Sequence, residues 1–343
     1  MKKILVAALT VLAAVAVGAP ATASASGSSK STRAVVIVSG GGAISPYTTP
    51  NAACKTGYAA GNTDTFMRSY FLKRGYRVFP SPAMVGRGKV VEQPGDGGPF
   101  GKCPKSLPTY MTVNSTGDIE LAGTSLAAFV RFLNRKHGVK EVDFVAHSMG
   151  GLFSRSAIHY LQVTGAPVKV RSLNTMGTPW GGAIFGDSPD PANPLAACDG
   201  FPVCESLIGV FGSLAPVILT EIKSAYMANL NNDNAGALKR IPVTMVAGDY
   251  FQKPGGTPRV WPNDGIVTVD SAMARAASDA VINHRRCHLL PGGTHSIYIS
   301  KEVGLPDDTG VTWNNQVGAW LLDAIRNSSR ALKQPNRVGC PAP

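Results

Sequence analysis

The sequence predicts an α/β fold, in which a mostly parallel sheet carries helices on both faces. Short apolar or β-branched runs, typical of buried strands, alternate with longer segments whose apolar residues recur at helical spacing. Glycines stand where two of the helical segments end. Alternation of this kind is typical of parallel sheets packed between helices.

The predicted elements follow one another in a regular order. The predicted strands cover residues 34–38, 76–79, 142–145, 168–173, 243–247 and 286–290. We expect no further strand after 286–290. The predicted helices cover residues 64–74, 122–133, 152–161 and 313–324. Residues 82–117 are rich in Gly and Pro, so they predict a long loop.

The N-terminal residues 1–25 have the pattern of a cleavable secretory signal. Lys2 and Lys3 precede an apolar run, and the stretch ends in small residues at 23–25. No later stretch approaches the ~18 uninterrupted apolar residues of a membrane span, so no stable membrane anchor is expected. We therefore expect a secreted protein in which residues 26–343 form one α/β domain.

The charge balance is basic, with a formal net charge of +12. Removal of Lys2 and Lys3 with the signal leaves 12 − 2 = +10. The basic residues are scattered along the sequence, without a Lys/Arg block or a nucleic-acid motif. The excess therefore indicates solubility or attraction to anionic surfaces, and no nucleic-acid partner is expected.

Six cysteines in a chain that carries a secretory signal predict three disulfides. Sequence order cannot choose among the possible pairings, and our interpretation is 54–103, 198–204 and 287–340. His284, Cys287 and His288 raise a metal site as an alternative. No second close Cys/His pair completes a tetrahedral set, so neither a metal nor a cofactor is expected.

Ser148 is the candidate nucleophile. It ends the apolar run 142–147 and precedes a helical pattern, so it lies at a turn from a strand to a helix. Such a turn holds its central residue at a strained positive φ, and the residues two before and two after it must be small. Here they are Ala146 and Gly150. The following helix would direct its positive dipole end at the serine.

A serine hydroxyl needs a base, and the base needs an orienting acid. His295 follows the last predicted strand, in the loop region where functional groups of α/β sheets collect, and is the candidate base. Asp264 is the favoured acid because the turn at Gly265 would hold and desolvate it. Asp249, directly after the strand 243–247, is the alternative. His147 adjoins the serine, but we expect its side chain to point away from it and to have a structural role.

The oxyanion of an acyl-transfer intermediate needs preorganised N–H donors. Met149 N–H is one candidate because it begins the helix after Ser148. The second should come from the glycine loop after the first strand, where Gly41 is the choice and Gly42 is adjacent. A phosphate-binding loop is the rival interpretation, but the glycine spacing and the Gly-Lys-Ser/Thr ending are missing.

Residues 183–230 lie between two core strands and contain a dense apolar set. These residues predict either a cap or movable lid over an acyl pocket, or a buried core helix, and the sequence favours neither.

The segments 146–150, 174–182 and 263–265 together resemble secreted bacterial lipases and esterases of the α/β-hydrolase fold. The order Ser148, Asp264, His295 matches the Ser-Asp-His order of that fold. One departure is that Ser39-Gly40 stands where the family often has His-Gly, which bears on the oxyanion assignment.

The resemblance implies a serine carboxylic-ester hydrolase, foremost a triacylglycerol lipase acting on lipid esters as a monomer, with a cap insertion. Some lipases of this type bind calcium, although no ligand cluster in the sequence requires it. A polyester depolymerase of the cutinase or polyhydroxyalkanoate type, or a short-chain esterase, would keep the same triad. A secreted binding protein on a hydrolase scaffold is the non-enzymatic alternative.

Overall fold

Seven parallel strands form the central sheet of the protein. The computed structural model describes residues 31–47, 65–91, 107–190, 192–214, 216–333 and 336–340. The strands are β1 (Arg33–Val38), β2 (Arg77–Pro80), β3 (Ala83–Met84), β4 (Val113–Asn114), β5 (Glu141–His147), β6 (Lys169–Met176), β7 (Val243–Gly248), β8 (Arg285–Leu290) and β9 (Arg337–Val338). Strands β3 and β4 form a separate pair, and the others are ordered β2-β1-β5-β6-β7-β8-β9. Every pairing is parallel.

Helices occupy the crossovers between the strands. They are α1 (Phe66–Leu72), α2 (Ile119–His137), α3 (Met149–Val163), α4 (Pro202–Leu214), α5 (Pro216–Glu221), α6 (Ser224–Asp233), α7 (Val269–Ala272), α8 (Ile297–Glu302), α9 (Asn315–Arg326) and α10 (Ser328–Ala331). Asp118 caps the start of α2 by accepting the N–H of Leu121, and Gly138 ends that helix at a φ of 64°.

Alternate residues of each strand face opposite helical layers. In β1, Val35 and Ile37 pack in a cluster with α1 and α9, whereas Val36 and Val38 pack in the cluster that contains α2 and α3. All four side chains are at most 1% exposed. The sheet is therefore buried on both faces, and the predicted parallel sheet with helices on both faces is confirmed.

Three short strands were not predicted. Strand β9 follows β8, so 286–290 is not the last strand, and β3 and β4 lie inside the predicted loop 82–117. Each of these strands has only two residues, which is too short to carry a periodic pattern. The predicted signal at residues 1–25 lies outside the described residues. Among the described residues, no helix combines the length and apolarity that a membrane span requires.

Two of the three predicted disulfides are confirmed. Cys198 pairs with Cys204 at the start of α4, and Cys287 in β8 pairs with Cys340 beyond β9. Cys54 and Cys103 lie outside the described residues. Since Cys287 is in a disulfide, the metal alternative at His284, Cys287 and His288 is wrong.

Because every strand of the large sheet runs in one direction, the carboxyl ends of the strands lie along one edge. The glycine loop after β1, Ser148 after β5, Gly177 after β6 and the loop after β8 all begin at this edge. We call it the catalytic edge. Functional groups from distant parts of the sequence are brought together there.

Candidate active site

Ser148 stands between the last residue of β5 and the first residue of α3. Its φ of 54° and ψ of −132° lie outside the regions that L-residues favour, as the small neighbours predicted. Its N–H donates to the carbonyl of Met176 at 2.9 Å, and Thr178 Oγ1 donates to its carbonyl at 2.9 Å. These bonds, to the last residue of β6 and to the segment after it, hold the strained turn in place.

Two glycines allow the turn to lie against β1 and the loop that follows it. A Cβ atom at Gly150 would lie 2.5 Å from the carbonyl oxygen of Val38, and one at Gly40 would lie 2.6 Å from the Cβ of Ser148. Real Cβ atoms do not approach so closely, so both positions must lack a side chain. The serine hydroxyl consequently lies close to the glycine loop after β1.

The structure brings His295 and Asp264 together. His295 Nδ1 lies 2.8 Å from Asp264 Oδ2, and the His295 N–H donates to the Asp264 carbonyl at 2.7 Å. Asp264 is fully buried, and its Oδ1 accepts the N–H groups of Ile266 and Val267 at 3.0 and 2.8 Å. These backbone donors offset the free-energy cost of burying the carboxylate, and they fix its orientation. If Nδ1 carries the proton, Nε2 of His295 is left as the basic atom.

Asp249, the alternative acid, is placed differently. Its Oδ1 accepts the N–H of Gly292 at 2.7 Å, within the loop that carries His295. Asp249 therefore supports that loop from outside, whereas Asp264 contacts the imidazole itself.

His147 is in contact with His295, a relation that sequence analysis missed. The two rings lie 4.6 Å apart between centroids, and Nε2 of His147 lies 2.9 Å from the His295 carbonyl. Burial, together with the neighbouring His295, lowers the pKa of His147 well below its usual value. A neutral His147 donates from Nε2 and supports the backbone of His295. His147 is also among the residues that line the cavity at Ser148. Its hydrogen bond to the His295 backbone fits the structural role expected for it.

The candidate oxyanion donors lie beside Ser148. Met149 N–H is in the first turn of α3, where a helix has no internal partner for it. Gly42 N–H donates to the Ser115 carbonyl at 3.2 Å and is therefore occupied. Gly41 lies against Met149, because a Cβ atom added to Gly41 would lie 2.9 Å from the Met149 sulfur. Gly41 and Met149 thus adjoin each other.

A cavity of about 240 Å³ connects Ser148, His295 and the glycine loop. Its other walls are largely apolar and comprise Ala183, Phe185, Leu207, Phe211, Ile218, Ile222, Ile266, Tyr298 and Ile299. A larger groove of about 1220 Å³ runs along Gly181 and Ser271, but neither Ser148 nor His295 lines it. The apolar cavity is therefore the one in which the serine could meet a ligand.

The segment 183–230 covers this cavity from one side. Leu207 and Phe211 of α4 line it, and Phe211 stacks on Phe185 with ring centroids 5.5 Å apart. Val210 on the same helix is 47% exposed, so α4 is not buried on all sides. We call residues 183–230 the cap.

The cap is attached to the core through a buried carboxyl group. Glu221, at the end of α5, is 4% exposed and accepts the N–H of Ile119 at 2.9 Å and the hydroxyl of Tyr226 at 3.3 Å. Burial raises the pKa of Glu221 to about 8, and the neighbouring Asp118 carboxylate adds to the increase. Glu221 is thus a protonated hydrogen-bonding group near neutral pH, joining α5 to the start of α2.

No group of three His, Cys, Asp or Glu side chains within the described residues is placed to hold a metal ion. The site therefore consists of the serine, the Asp264–His295 pair, backbone N–H groups and the apolar cavity. A hydroxyl, a base whose ring is oriented by a carboxylate, and N–H donors together suit nucleophilic attack on a carbonyl.

Comparison with known proteins gives partial matches. Residues 109–192 match a family described as "Putative serine esterase (DUF676)". A triacylglycerol lipase from Pseudarthrobacter phenanthrenivorans is 28% identical over 196 residues, or 55% of this chain and 52% of the relative. A triacylglycerol lipase from Burkholderia plantarii is also 28% identical over 196 residues, which are 55% of this chain and 46% of that relative. The chain thus matches about half the length of these curated relatives.

Among solved structures, a lipase from Bacillus licheniformis in its mature form matches with a TM-score of 0.51 and 17% identity. The match covers 85% of this chain and 91% of the lipase. At this identity the similarity concerns the fold. The chain has the α/β-hydrolase fold that the resemblance in its sequence implied.

Gly177 offers a test of the site's geometry. A Cβ atom there would lie 2.8 Å from His295 Nδ1 and 2.9 Å from Asp264 Oδ2. We expect Gly177→Ala to lower the free energy of unfolding by about 1–3 kcal/mol more than Gly165→Ala, because only the first side chain is overpacked. Gly165 is the matched control, since its φ of 60° resembles the 56° of Gly177 and its surroundings are open. Urea unfolding measures both, and equal losses would contradict the geometry.

The attachment of the cap through Glu221 can be tested by the pH dependence of folding stability. An unfolded chain releases the proton of this residue near its ordinary pKa, whereas the folded chain keeps it up to about 8. The contribution of Glu221 to folding therefore falls as pH rises through that window. Between pH 5 and pH 8 we expect the wild type to lose about 2–4 kcal/mol of stability relative to Glu221→Gln, whose amide stays neutral. Urea unfolding of both proteins at several pH values measures this, and parallel pH profiles would contradict it.

Proposed function

We propose that the protein is a serine hydrolase of carboxylic esters. The observation that carries the proposal is that one apolar cavity joins a serine at a strained strand-to-helix turn to a histidine bonded to a buried carboxylate. The similarity to a serine esterase family over residues 109–192 and to curated lipases supports it.

In the proposed mechanism, Ser148 Oγ attacks the ester carbonyl while His295 Nε2 takes its proton. Asp264 keeps the other ring nitrogen protonated and stabilises the imidazolium that forms. The tetrahedral oxyanion receives hydrogen bonds from the N–H groups of Met149 and Gly41. His295 then returns the proton to the leaving alcohol, and an acyl-enzyme remains on Ser148. A water molecule attacks the acyl group while His295 takes one of its protons, and His295 then passes that proton to Ser148 Oγ as the carboxylic acid leaves.

The substrate class we favour is lipid esters, and triacylglycerols foremost. The apolar walls of the cavity suit an acyl chain, and two curated relatives are named triacylglycerol lipases. Leu207, Phe211 and Ile218 of the cap form part of the cavity wall, which suits a single acyl chain better than a bulky polymer. A short-chain esterase shares the same chemistry and differs in the length of acyl group it accepts.

The proposed setting is extracellular. The N-terminal pattern of residues 1–25 favours export, and the disulfides Cys198–Cys204 and Cys287–Cys340 suit an oxidising compartment. We propose that the exported chain acts as a monomer without a resident cofactor.

Hydrolysis of an ester series of increasing acyl length, from short nitrophenyl esters to emulsified long-chain triglyceride, tests class and substrate together. We expect turnover by the wild type and loss of it in Ser148→Ala, which should also fail to react with a fluorophosphonate probe. Thermal unfolding serves as the control for folding. Turnover of polymer films in preference to lipid esters would favour the depolymerase alternative. A wild type that is neither labelled nor active would favour the binding protein.

The two aspartates can be separated by their effects on turnover. We expect Asp264→Asn to lower kcat by about 10³–10⁴-fold, because an amide there favours the wrong histidine tautomer. Asp249→Asn is the matched control and should lower kcat by less than about tenfold, since among the described residues its carboxylate accepts a hydrogen bond from the Gly292 N–H and does not contact His295. Steady-state kinetics on one soluble ester measures both variants. A larger loss in Asp249→Asn would assign the acid to that residue instead.

A further inference from the structure

The fold gathers positive charge at the end of the sheet opposite to Ser148. All strands of the large sheet begin at that end, and the helices that return from the catalytic edge finish there. Hydrogen bonds join the two sets of termini directly. Arg77 at the start of β2 donates to the carbonyl of His137 at the end of α2, and Arg33 at the start of β1 donates to the carbonyl of Ile325 near the end of α9.

Ten exposed cations stand at these termini. They are Lys73, Arg135, Lys136, Lys140, Lys169, Lys239, Arg240, Arg326, Arg330 and Lys333. We call this set the basic end. Residues that looked scattered along the sequence are therefore brought to one end by the parallel topology.

The charge of the basic end is not neutralised by the residues around it. Within the part of the chain that the structure describes, none of the ten forms an ion pair or a side-chain hydrogen bond. Three acidic residues nearby already pair with arginines outside the set: Glu141 with Arg171, Asp279 with Arg337 and Asp323 with Arg286. The ten cations are therefore available to an external anion.

Helix stabilisation does not account for this charge. Cations favour the carboxyl ends of helices, which explains Arg135, Lys136 and Arg326. Lys140, Lys169 and the pair 239–240 lie at or just before the starts of strands, where no comparable dipole exists. Their mutual repulsion opposes folding.

We propose that the basic end docks on an anionic phospholipid bilayer and turns the catalytic edge away from it. The contact is electrostatic and peripheral, made by Lys and Arg side chains with lipid phosphate groups. It does not depend on the proposed hydrolase activity.

The distribution of the ten cations favours a flat partner. They belong to helices on both faces of the sheet and to the strand starts between them, so they spread over two dimensions. A cavity at this end, lined by Ser172 and Arg286, has a volume of only about 20 Å³, which offers no groove for a linear polymer. The exposed aromatic side chains of the described residues, Tyr110 and Tyr250, belong to other parts of the fold, so no stacking platform for bases is present here.

The binding should respond to salt because little apolar surface accompanies the charge. The exposed apolar side chains at this end, Val163, Leu332 and Val338, come from different elements. Adsorption through cations alone is screened within about 10 Å at 0.1 M salt and is therefore reversible. The strands are up to eight residues long, or about 26 Å, so the serine would lie well away from the bilayer to which the protein docks.

The test is co-sedimentation of the full chain with phosphatidylcholine vesicles that contain 0 or 30 mol% phosphatidylglycerol. Neutral vesicles report any binding through the apolar N-terminal residues. The quantity of interest is therefore the increment, by which we mean the additional binding to vesicles that contain phosphatidylglycerol. We expect this increment at low salt and its loss at about 0.5 M NaCl. The triple variant Lys140→Gln, Lys239→Gln, Lys333→Gln should weaken it by about 100-fold.

The matched control is the triple variant Arg87→Gln, Lys89→Gln, Lys223→Gln. It removes the same charge from exposed positions outside the basic end, and it should keep the increment within about threefold. Equal losses in the two variants would overturn the proposal, because net charge alone would then explain the binding. Absence of the increment in the wild type, or tighter binding to long-chain polyphosphate than to the vesicles, would overturn it as well. Unchanged thermal unfolding of both variants excludes misfolding as the cause.

Discussion

The close approach of the Ser148 turn to β1 and the loop that follows it is the constraint on which the rest of the site depends. The turn can adopt its positive φ only because glycines at 40 and 150 leave room for backbone where a side chain would collide. The strained turn is held by hydrogen bonds to Met176, at the end of the neighbouring strand β6, and to Thr178 just beyond that strand. Three adjacent strands therefore fix one hydroxyl, and the sheet works as a rigid frame for it.

The histidine is held by a second, independent set of contacts. Asp264 is oriented by backbone N–H groups of its own turn. Its carboxylate is hydrogen-bonded to the ring of His295, and its carbonyl accepts the backbone N–H of the same residue. His147 bonds the same residue from the β5 side. The imidazole of His295 therefore has little freedom. It is held by Asp264 and by the neutral His147, and the backbone at Gly177 lies directly against it. Such preorganisation is what proton transfer at a serine requires.

Much of the architecture could be predicted from the sequence because long strands and helices carry periodic patterns. The six predicted strands are all present, and the Ser148 turn was identifiable from Ala146 and Gly150. The structure places Asp264, the acid that the sequence favoured, beside His295. The sequence kept Asp249 as the alternative because that residue directly follows a predicted strand. The contact of His147 with His295 joins residues 148 positions apart, and no local pattern encodes it. The gathering of cations at the basic end was hidden for the same reason.

The cavity is assembled from two parts of the chain that are separate in sequence. The reacting groups come from loops at the ends of β1, β5 and β8, whereas the cap between β6 and β7 supplies Leu207, Phe211 and Ile218 to the wall. Strain and close fit restrict substitution in the first part, whereas α4 is partly exposed. Exchange of one apolar residue for another on α4 would therefore reshape the wall of the cavity while the serine turn and the Asp264–His295 pair keep their contacts. The shape of the cavity and the geometry of the reacting groups are thus set by separate parts of the chain.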